Sequence, residues 1–178
     1  MDWVETESEF MNVCTASSIN RVEHLWITAA HCVVDIGPEG RYIGGLEAKA
    51  VEIQVELDLA VIRVSDFTAK DVPMQMRPPR WDQPLTIAGH PFGYQDVFVT
   101  RGFVSNPMAI LDGHPFMIFD VAGAPGNSGS PVFNDKGEIV SVLQIGWGRS
   151  FSPITGGATY ENLKKFAHYF SPRTDKVY

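Results

Sequence analysis

The chain has 178 residues, of which 44% are apolar, so it is long enough to bury the core of one domain of ordinary size. Its net charge is −7, and no basic tract is longer than Lys164-Lys165. Because phosphate binding needs clustered Lys and Arg, we expect no nucleic-acid partner. No apolar run approaches the ~20 residues of a transmembrane helix, and we therefore expect no membrane span.

Short segments of apolar and β-branched residues recur along the chain, separated by Gly, Pro, Asn and Asp and with little helical periodicity. This pattern is typical of an all-β domain. It predicts strands over residues 11–19, 25–29, 48–54, 59–64, 85–88, 97–104, 115–121, 131–133 and 139–145, with one more around Ala158.

A proline-rich segment divides the chain into two halves. Residues 71–84 hold four prolines, and proline lacks the N–H group that an internal strand donates. Within a single domain over 1–178 we therefore predict a first half over 1–72, a linker over 73–84 and a second half over 85–159.

One helix is predicted near the C-terminus, over residues 160–170. Leu163, Phe166, Ala167 and Phe170 follow the i, i+3, i+4, i+7 spacing of an apolar helix face. We expect this face to pack against the second half of the chain.

The stretch Gly-Asn-Ser-Gly-Ser-Pro at 126–131 places Ser128 between Gly126 and Gly129. Glycine permits a positive φ and close backbone approach, so such a turn can bring N–H groups beside a hydroxyl. An acyl-transfer nucleophile needs this geometry together with a base, a group that orients the base, and donors for the oxyanion. By itself the stretch is equally compatible with an ordinary turn between two strands.

Two upstream stretches supply partners for such a serine. His31 lies near the end of the apolar stretch Ile-Thr-Ala-Ala-His-Cys at 27–32, and Asp58 precedes Leu-Ala-Val-Ile at 59–62. His-Asp-Ser is one of the known chain orders of the catalytic triad. His90 is a second choice for the base, although its Gly-His-Pro context favours loop structure. The competing acids are Glu52, Glu56 and Asp66.

The motifs Thr-Ala-Ala-His-Cys, Asp-Leu-Ala-Val-Ile and Gly-Asn-Ser-Gly-Ser-Pro together resemble the trypsin/chymotrypsin-like serine endopeptidases. Ala-Gly-His-Pro-Phe-Gly at 88–93 and Thr-Arg-Gly-Phe-Val-Ser at 100–105 are similar to the HtrA/Deg branch. Residues 126–134 are similar to the staphylococcal glutamyl endopeptidases. The segment after the predicted helix is too short for the PDZ domain that usually follows an HtrA protease domain, so we expect none.

The resemblance implies two six-stranded antiparallel β-barrels with the active site between them. It implies that Ser128 is the nucleophile, His31 the base and Asp58 the group that orients it, because Asp58 directly precedes the apolar run where the family's acid lies. The backbone N–H groups of Gly126 and Ser128 would form the oxyanion hole. We expect an endopeptidase that acts on proteins or peptides through an acyl-enzyme, without metal or organic cofactor. The alternative is a silent binding module with a closed or misassembled site.

The resemblance also predicts the substrate-binding residues. It places Ala122 and Gly123 at the base of the S1 pocket and Leu143 where glutamyl endopeptidases carry a substrate-binding histidine. Gly156 or Gly157 would line the far side, and the strand that pairs with substrate would comprise Gln144, Ile145 and Gly146. None of these residues is charged, so we expect a small or apolar P1 side chain.

Family position further predicts a disulfide between Cys14 and Cys32, with a pair of reduced thiols as the alternative. The compartment follows from this choice: secreted or periplasmic if the two are bonded, and cytoplasmic otherwise. The acidic start of the chain lacks signal-peptide features, so we expect either no export leader or one already removed.

Activation is expected to differ from that of trypsin zymogens. Asn127 replaces the aspartate that pairs with a freed N-terminal amine in those enzymes, and the chain does not start with an Ile-Val-Gly-Gly type of sequence. We expect Asn127 to form hydrogen bonds within its own loop, and activity to need no N-terminal cleavage.

Overall fold

The computed structural model describes residues 2–5, 14–34, 41–43, 46–65, 69–147 and 154–172. Six strands form a first antiparallel sheet: β1 (Asp2–Glu5), β2 (Cys14–Asn20), β3 (Leu25–Thr28), β4 (Arg41–Ile43), β5 (Leu46–Gln54) and β6 (Leu59–Val64). Their hydrogen-bonded order is β1-β2-β3-β6-β5-β4, and β4 pairs back to β1, so the sheet closes on itself.

A second antiparallel sheet uses β7 (Pro84–Gly89), β8 (Phe98–Leu111), β9 (His114–Asp120), β10 (Pro131–Phe133), β11 (Ile139–Trp147) and β12 (Ile154–Gly157). Its order is β10-β11-β12-β9-β8-β7, and β7 pairs with β10 to close the ring. Closure leaves neither sheet with a free edge along its paired strands. The prediction of an all-β chain is confirmed.

The predicted strands differ from the observed ones mainly at short or irregular elements. β1 and β4 were not predicted, and they are only four and three residues long. Residues 11–13 of the first predicted strand lie outside the described residues. β8 continues to Leu111, beyond the predicted end at Val104, although it contains Pro107. The pairing with β7 ends at Phe103 and the register with β9 shifts around Pro107, so the missing proline N–H breaks no regular ladder.

The predicted linker 73–84 contains no named strand before its last residue. Pro84 is the first residue of β7, which is a position that proline tolerates in a sheet, so the last residue of the predicted linker lies in a strand. The segment is attached to the second sheet at Ile139, which donates from its N–H to the Pro73 oxygen at 2.7 Å and accepts from the Gln75 N–H at 2.8 Å.

A shared apolar core joins the two sheets. Leu25, Ile27, Leu59 and Val61 of the first sheet belong to the same buried cluster as Ile139 and Val142 of the second and Leu163, Phe166 and Phe170 of the C-terminal segment. Each sheet also has its own core. The shared cluster fixes one sheet against the other and thereby sets the distance between residues that the two sheets carry.

The C-terminal helix is shorter than the predicted 160–170. Helix α1 spans Tyr160–Lys164, Phe166 is non-helical at φ −94° and ψ 1°, and a 3₁₀ turn follows at Ala167–Tyr169. Contacts with the first sheet explain the break: the Tyr169 carbonyl accepts from Asn20 Nδ2 at 3.4 Å, and the Tyr169 hydroxyl donates to Glu52 at 2.6 Å. The bond to Glu52 and partial burial raise the pKa of Tyr169 to about 12. Across the described ranges, no helix combines the length and apolar character that a membrane crossing requires.

Candidate active site

His31 lies in a 3₁₀ turn, Ala30–Cys32, that directly follows β3. Ala29 and Ala30 are buried, and their small side chains fit the crowded entry to the turn, while the imidazole is 45% exposed. A disulfide joins Cys32 to Cys14 on β2, with the two Cα atoms 6.1 Å apart. The turn is therefore attached covalently to the neighbouring strand, and the imidazole faces solvent from a turn whose position is fixed.

Asp58 accepts two kinds of hydrogen bond from His31. Its Oδ1 is 2.8 Å from the His31 backbone nitrogen, and its Oδ2 is 2.8 Å from Nδ1 of the ring. Asp58 follows a 3₁₀ turn at Val55–Leu57 and has left-handed backbone angles of φ 46° and ψ 46°. A carboxylate at Nδ1 leaves Nε2 without a proton in the neutral ring, which is the tautomer that a general base needs.

The competing acids occupy other environments. Glu52 accepts from the Tyr169 hydroxyl and from the Gln54 amide, and Glu56 is exposed. Asp66 lies outside the described residues. Of the described candidates, Asp58 is the one that contacts His31.

Ser128 lies in a loop whose shape depends on two glycines with positive φ. Gly126 has φ 96° and Gly129 has φ 79°. A side chain on Gly126 would meet the His90 oxygen and the Phe92 nitrogen, and one on Gly129 would meet backbone and side-chain atoms of Thr15 and Thr28. These contacts explain the glycine spacing around the serine: the loop packs directly on its neighbours.

Thr15 of β2 attaches this loop to the first sheet. Its N–H donates to the Ser128 oxygen at 2.7 Å, its hydroxyl donates to the Gly126 oxygen at 3.1 Å, and its own carbonyl accepts from the Thr28 hydroxyl at 2.8 Å. Ser128 is thus tied to strands that also carry the His31 turn. Thr15 was not among the residues predicted from the sequence; its position beside Cys14 was the available signal.

Two backbone N–H groups of the Ser128 loop have no hydrogen-bond acceptor among the described residues. Within the described part of the chain, neither the Gly126 N–H nor the Ser128 N–H donates a hydrogen bond, whereas the Asn127 and Gly129 N–H groups bond to Ala124 and Leu143 at 3.0 and 2.8 Å. A pair of free N–H groups in a packed loop is what an oxyanion hole requires.

Asn127 is a buried residue of the same loop, and the structure does not show the predicted local bond at its side-chain oxygen. Its Oδ1 and the Ser130 hydroxyl have no hydrogen-bond partner among the described residues, and both lie against Gly89, where a Cβ would overlap them. No carboxylate is present at this position.

His90, the second choice for the base, is buried inside its loop. Its Nδ1 is 3.1 Å from the Tyr94 oxygen, and its backbone N–H donates to the Thr15 hydroxyl at 3.2 Å. These contacts support the interpretation of His90 as loop structure.

The residues predicted to bind substrate occupy different environments. Ala122 is exposed, Gly123 is buried beside Thr155, and Ile145 and Gly146 are exposed on β11. Leu143 is 4% exposed and its side chain belongs to the core of the second sheet, while its backbone bonds to Gly129 and Ser130. Gly156 and Gly157 are buried on β12, opposite Ile145 and Leu143. The Gln144 side chain is buried and points toward the Asp58 turn.

Two closed antiparallel sheets, a His–Asp pair on the first and a glycine-flanked serine on the second define a trypsin-like class of domain. A model of the family described as "Trypsin-like peptidase domain" matches residues 14–142, which is most of the chain. The chain therefore belongs to the trypsin-like peptidase domain family.

Curated relatives include proteases from plants and bacteria. The chain is 33% identical over 132 residues to "Protease Do-like 2, chloroplastic" of Arabidopsis thaliana, which covers 65% of this chain and 21% of that protein. It is 36% identical over 104 residues to "Probable periplasmic serine endoprotease DegP-like" of Pseudomonas putida (strain ATCC 700007 / DSM 6899 / JCM 31910 / BCRC 17059 / LMG 24140 / F1), covering 54% and 21%. A DegP-like protein of Marinomonas sp. (strain MWYL1) is also 36% identical, over 105 residues. The matched region is about a fifth of the length of these relatives.

Proposed function

We propose that this chain is a serine endopeptidase with a chymotrypsin-like arrangement of two barrels and a cleft between them. The observation that carries the proposal is the contact of 2.8 Å between His31 Nδ1 and Asp58 Oδ2, in a turn that Thr15 and Thr28 connect to the Ser128 loop. In this proposal residues 1–72 contribute the base and the acid, 73–84 link the halves, and 85–159 contribute the nucleophile.

The reaction follows from these positions. Ser128 Oγ attacks the peptide carbonyl carbon while His31 Nε2 takes the hydroxyl proton, and the carbonyl oxygen becomes an oxyanion that accepts from the Gly126 and Ser128 N–H groups. The C–N bond then breaks as His31 returns the proton to the leaving amine. Water, deprotonated by His31, attacks the acyl-enzyme, and Ser128 recovers its proton when the ester C–O bond breaks. Asp58 stabilises the imidazolium throughout.

The alternative is a silent binding module, whose site would not turn over substrate. The glycine-flanked loop supports the enzyme, because the Gly126 and Ser128 N–H groups have no acceptor among the described residues and are therefore available to an oxyanion. Purified chain incubated with denatured casein should yield internal cleavage products that grow linearly with enzyme concentration. Absence of any cleavage by folded protein would favour the binding module.

The P1 preference is expected to be small or apolar. Ala122, Gly123 and Ile145 carry no charge with which to neutralise an ionised substrate side chain, and burying one unpaired costs several kcal/mol. A P1-randomised peptide library should show at least about a 10-fold higher kcat/KM for small or apolar residues than for Arg, Lys or Glu, since about 1.4 kcal/mol suffices for that ratio. A profile dominated by Arg, Lys or Glu would place the pocket elsewhere.

We further propose that the chain matures in an oxidising compartment, because Cys14 and Cys32 form a disulfide. With 18 residues of sequence separation, the cross-link is expected to contribute about 3 kcal/mol to the free energy of unfolding.

Cys14→Ala/Cys32→Ala should lower the unfolding free energy by about this amount in urea titrations. Alkylation of protein taken from its natural compartment supplies the second measurement: two freely alkylated thiols would contradict the proposal.

A further inference from the structure

Gln144 is the extra residue of a β-bulge in β11. Leu143 pairs with Gly157 and Ile145 pairs with Gly156, so two adjacent residues of β12 face residues of β11 that are two apart, and Gln144 has no partner across the ladder. A bulge re-aims the side chain of its extra residue. The Gln144 side chain accordingly leaves the second sheet and is buried against the turn that joins β5 and β6 of the first.

The Gln144 side-chain amide donates to two successive carbonyls of the turn at residues 55–58, which we call the acid turn because it carries Asp58. Its Nε2 lies 2.7 Å from the Leu57 oxygen and 2.8 Å from the Asp58 oxygen. A carboxamide NH₂ group has two hydrogens, and this geometry uses both. Hydrocarbon of the same volume would leave both carbonyls without this donor, and a carboxylate would place negative charge against them.

The acid turn needs such support, because Asp58 has a backbone conformation that residues other than glycine seldom adopt. Its angles of φ 46° and ψ 46° lie in the left-handed region, which is unfavourable for an L-residue, although less so for Asp than for most. From this conformation the carboxylate meets both the backbone nitrogen and the ring of His31. Relaxation of the turn would move the carboxylate away from His31.

The residue before Gln144 binds the other half of the site. The Leu143 N–H donates to the Ser130 oxygen at 2.9 Å, and its carbonyl accepts from the Gly129 N–H at 2.8 Å. Two consecutive residues of β11 thus contact the loop that carries Ser128 and the turn that carries Asp58. A shift of the bulge would therefore change the distance between the Ser128 loop and the Asp58 turn.

We propose that Gln144 is a positioning residue that acts through Asp58: its side-chain amide holds the left-handed acid turn in the geometry that orients His31. This inference rests on the proposed function. It assigns the Gln144 side chain to the acid turn and leaves only its backbone to the predicted substrate-pairing strand.

The first test replaces the amide with a group of similar volume that cannot donate. Gln144→Met should lower kcat by about 10- to 100-fold, since small displacements of a catalytic group have effects of this size, while KM stays within about threefold. Gln144→Glu keeps the shape of the side chain and should cause a similar loss of kcat. If Gln144→Met proves poorly folded, Gln144→Glu replaces it in all measurements.

A double-mutant cycle with Asp58→Asn separates positioning from general stability. Both backgrounds are compared by the rate at which a fluorophosphonate labels Ser128, which remains measurable when turnover is slow. If Gln144 acts through Asp58, Gln144→Met should change the labelling rate by less than about twofold in the Asp58→Asn background. Equal losses in the two backgrounds would overturn the proposal.

Gln75→Met is the matched control. Gln75 is also a buried amide that donates to a backbone carbonyl, that of Arg77 at 2.7 Å, but it lies in the segment between the sheets. It should lower the melting temperature while leaving kcat within about twofold. Equal kcat losses in Gln75→Met and Gln144→Met would attribute both to stability. An inactive, unlabelled wild type would refute the proposed function, whereas an active wild type with unaffected Gln144 variants would refute only the positioning role.

Discussion

Ser128→Ala is expected to lower peptide turnover by about 10⁴- to 10⁶-fold without unfolding the chain. The substitution removes only the hydroxyl, and the contacts that hold the loop are made by backbone atoms of Ser128 and by its neighbours. Alanine therefore preserves the loop while it removes the nucleophile. Turnover is measured with an internally cleaved peptide, and the fold is monitored by circular dichroism and thermal unfolding.

The control for this variant is Ser105→Ala. Ser105 is an exposed serine on β8 with no place in the proposed site, and its removal should leave turnover within about twofold of wild type. If Ser128→Ala kept wild-type turnover, the nucleophile would have to be another residue, and the proposed mechanism would fail.

Gly129→Ala is expected to produce the second-largest effect, a loss of activity of at least about 100-fold together with a lower melting temperature. A Cβ at this position would overlap the Thr15 oxygen and the Thr28 hydroxyl and approach the Ala29 nitrogen to 3.2 Å. Because these atoms belong to β2, to β3 and to the residue that begins the His31 turn, the Ser128 loop has to move away from the base. Peptide turnover and thermal unfolding measure the two consequences.

Gly137→Ala separates crowding from backbone strain. Gly137 has φ 73°, close to the 79° of Gly129, but a Cβ there would meet nothing within 4 Å. The left-handed strain should therefore appear in both variants as a cost of about 1–2 kcal/mol in stability, while the loss of activity should appear only in Gly129→Ala. Equal losses of activity in the two variants would show that the packing of the Ser128 loop on Thr15 is not needed for turnover.

The candidate site residues that could be predicted from the sequence are those marked by their immediate neighbours in the chain. His31 and Asp58 were singled out by the apolar runs beside them and by the resemblance of those stretches to family motifs, and the structure brings their side chains to 2.8 Å. The glycines around Ser128 were recognised by their backbone freedom, and the structure gives Gly126 and Gly129 positive φ values. Such signals depend on residues close together in the chain.

Features that depend on contacts between distant segments were not predictable. The apolar spacing predicted one helix over 160–170, but bonds from the first sheet to Tyr169 compete with its last turns. The direction of the Gln144 side chain depends on a bulge defined by its pairing with β12. Thr15 bonds to residues more than 100 positions away. No periodicity along the chain reports these relations.

Covalent labelling of the unmodified chain by a fluorophosphonate tests the central claim most directly. The reagent forms a bond only with a serine that has an activated hydroxyl and an accessible oxyanion site. We predict a single adduct, mapped by peptide mass spectrometry to Ser128 and strongly reduced in His31→Ala. Folded protein that forms no adduct, or that forms it at another residue, would contradict the assignment of this chain as a serine endopeptidase acting through Ser128.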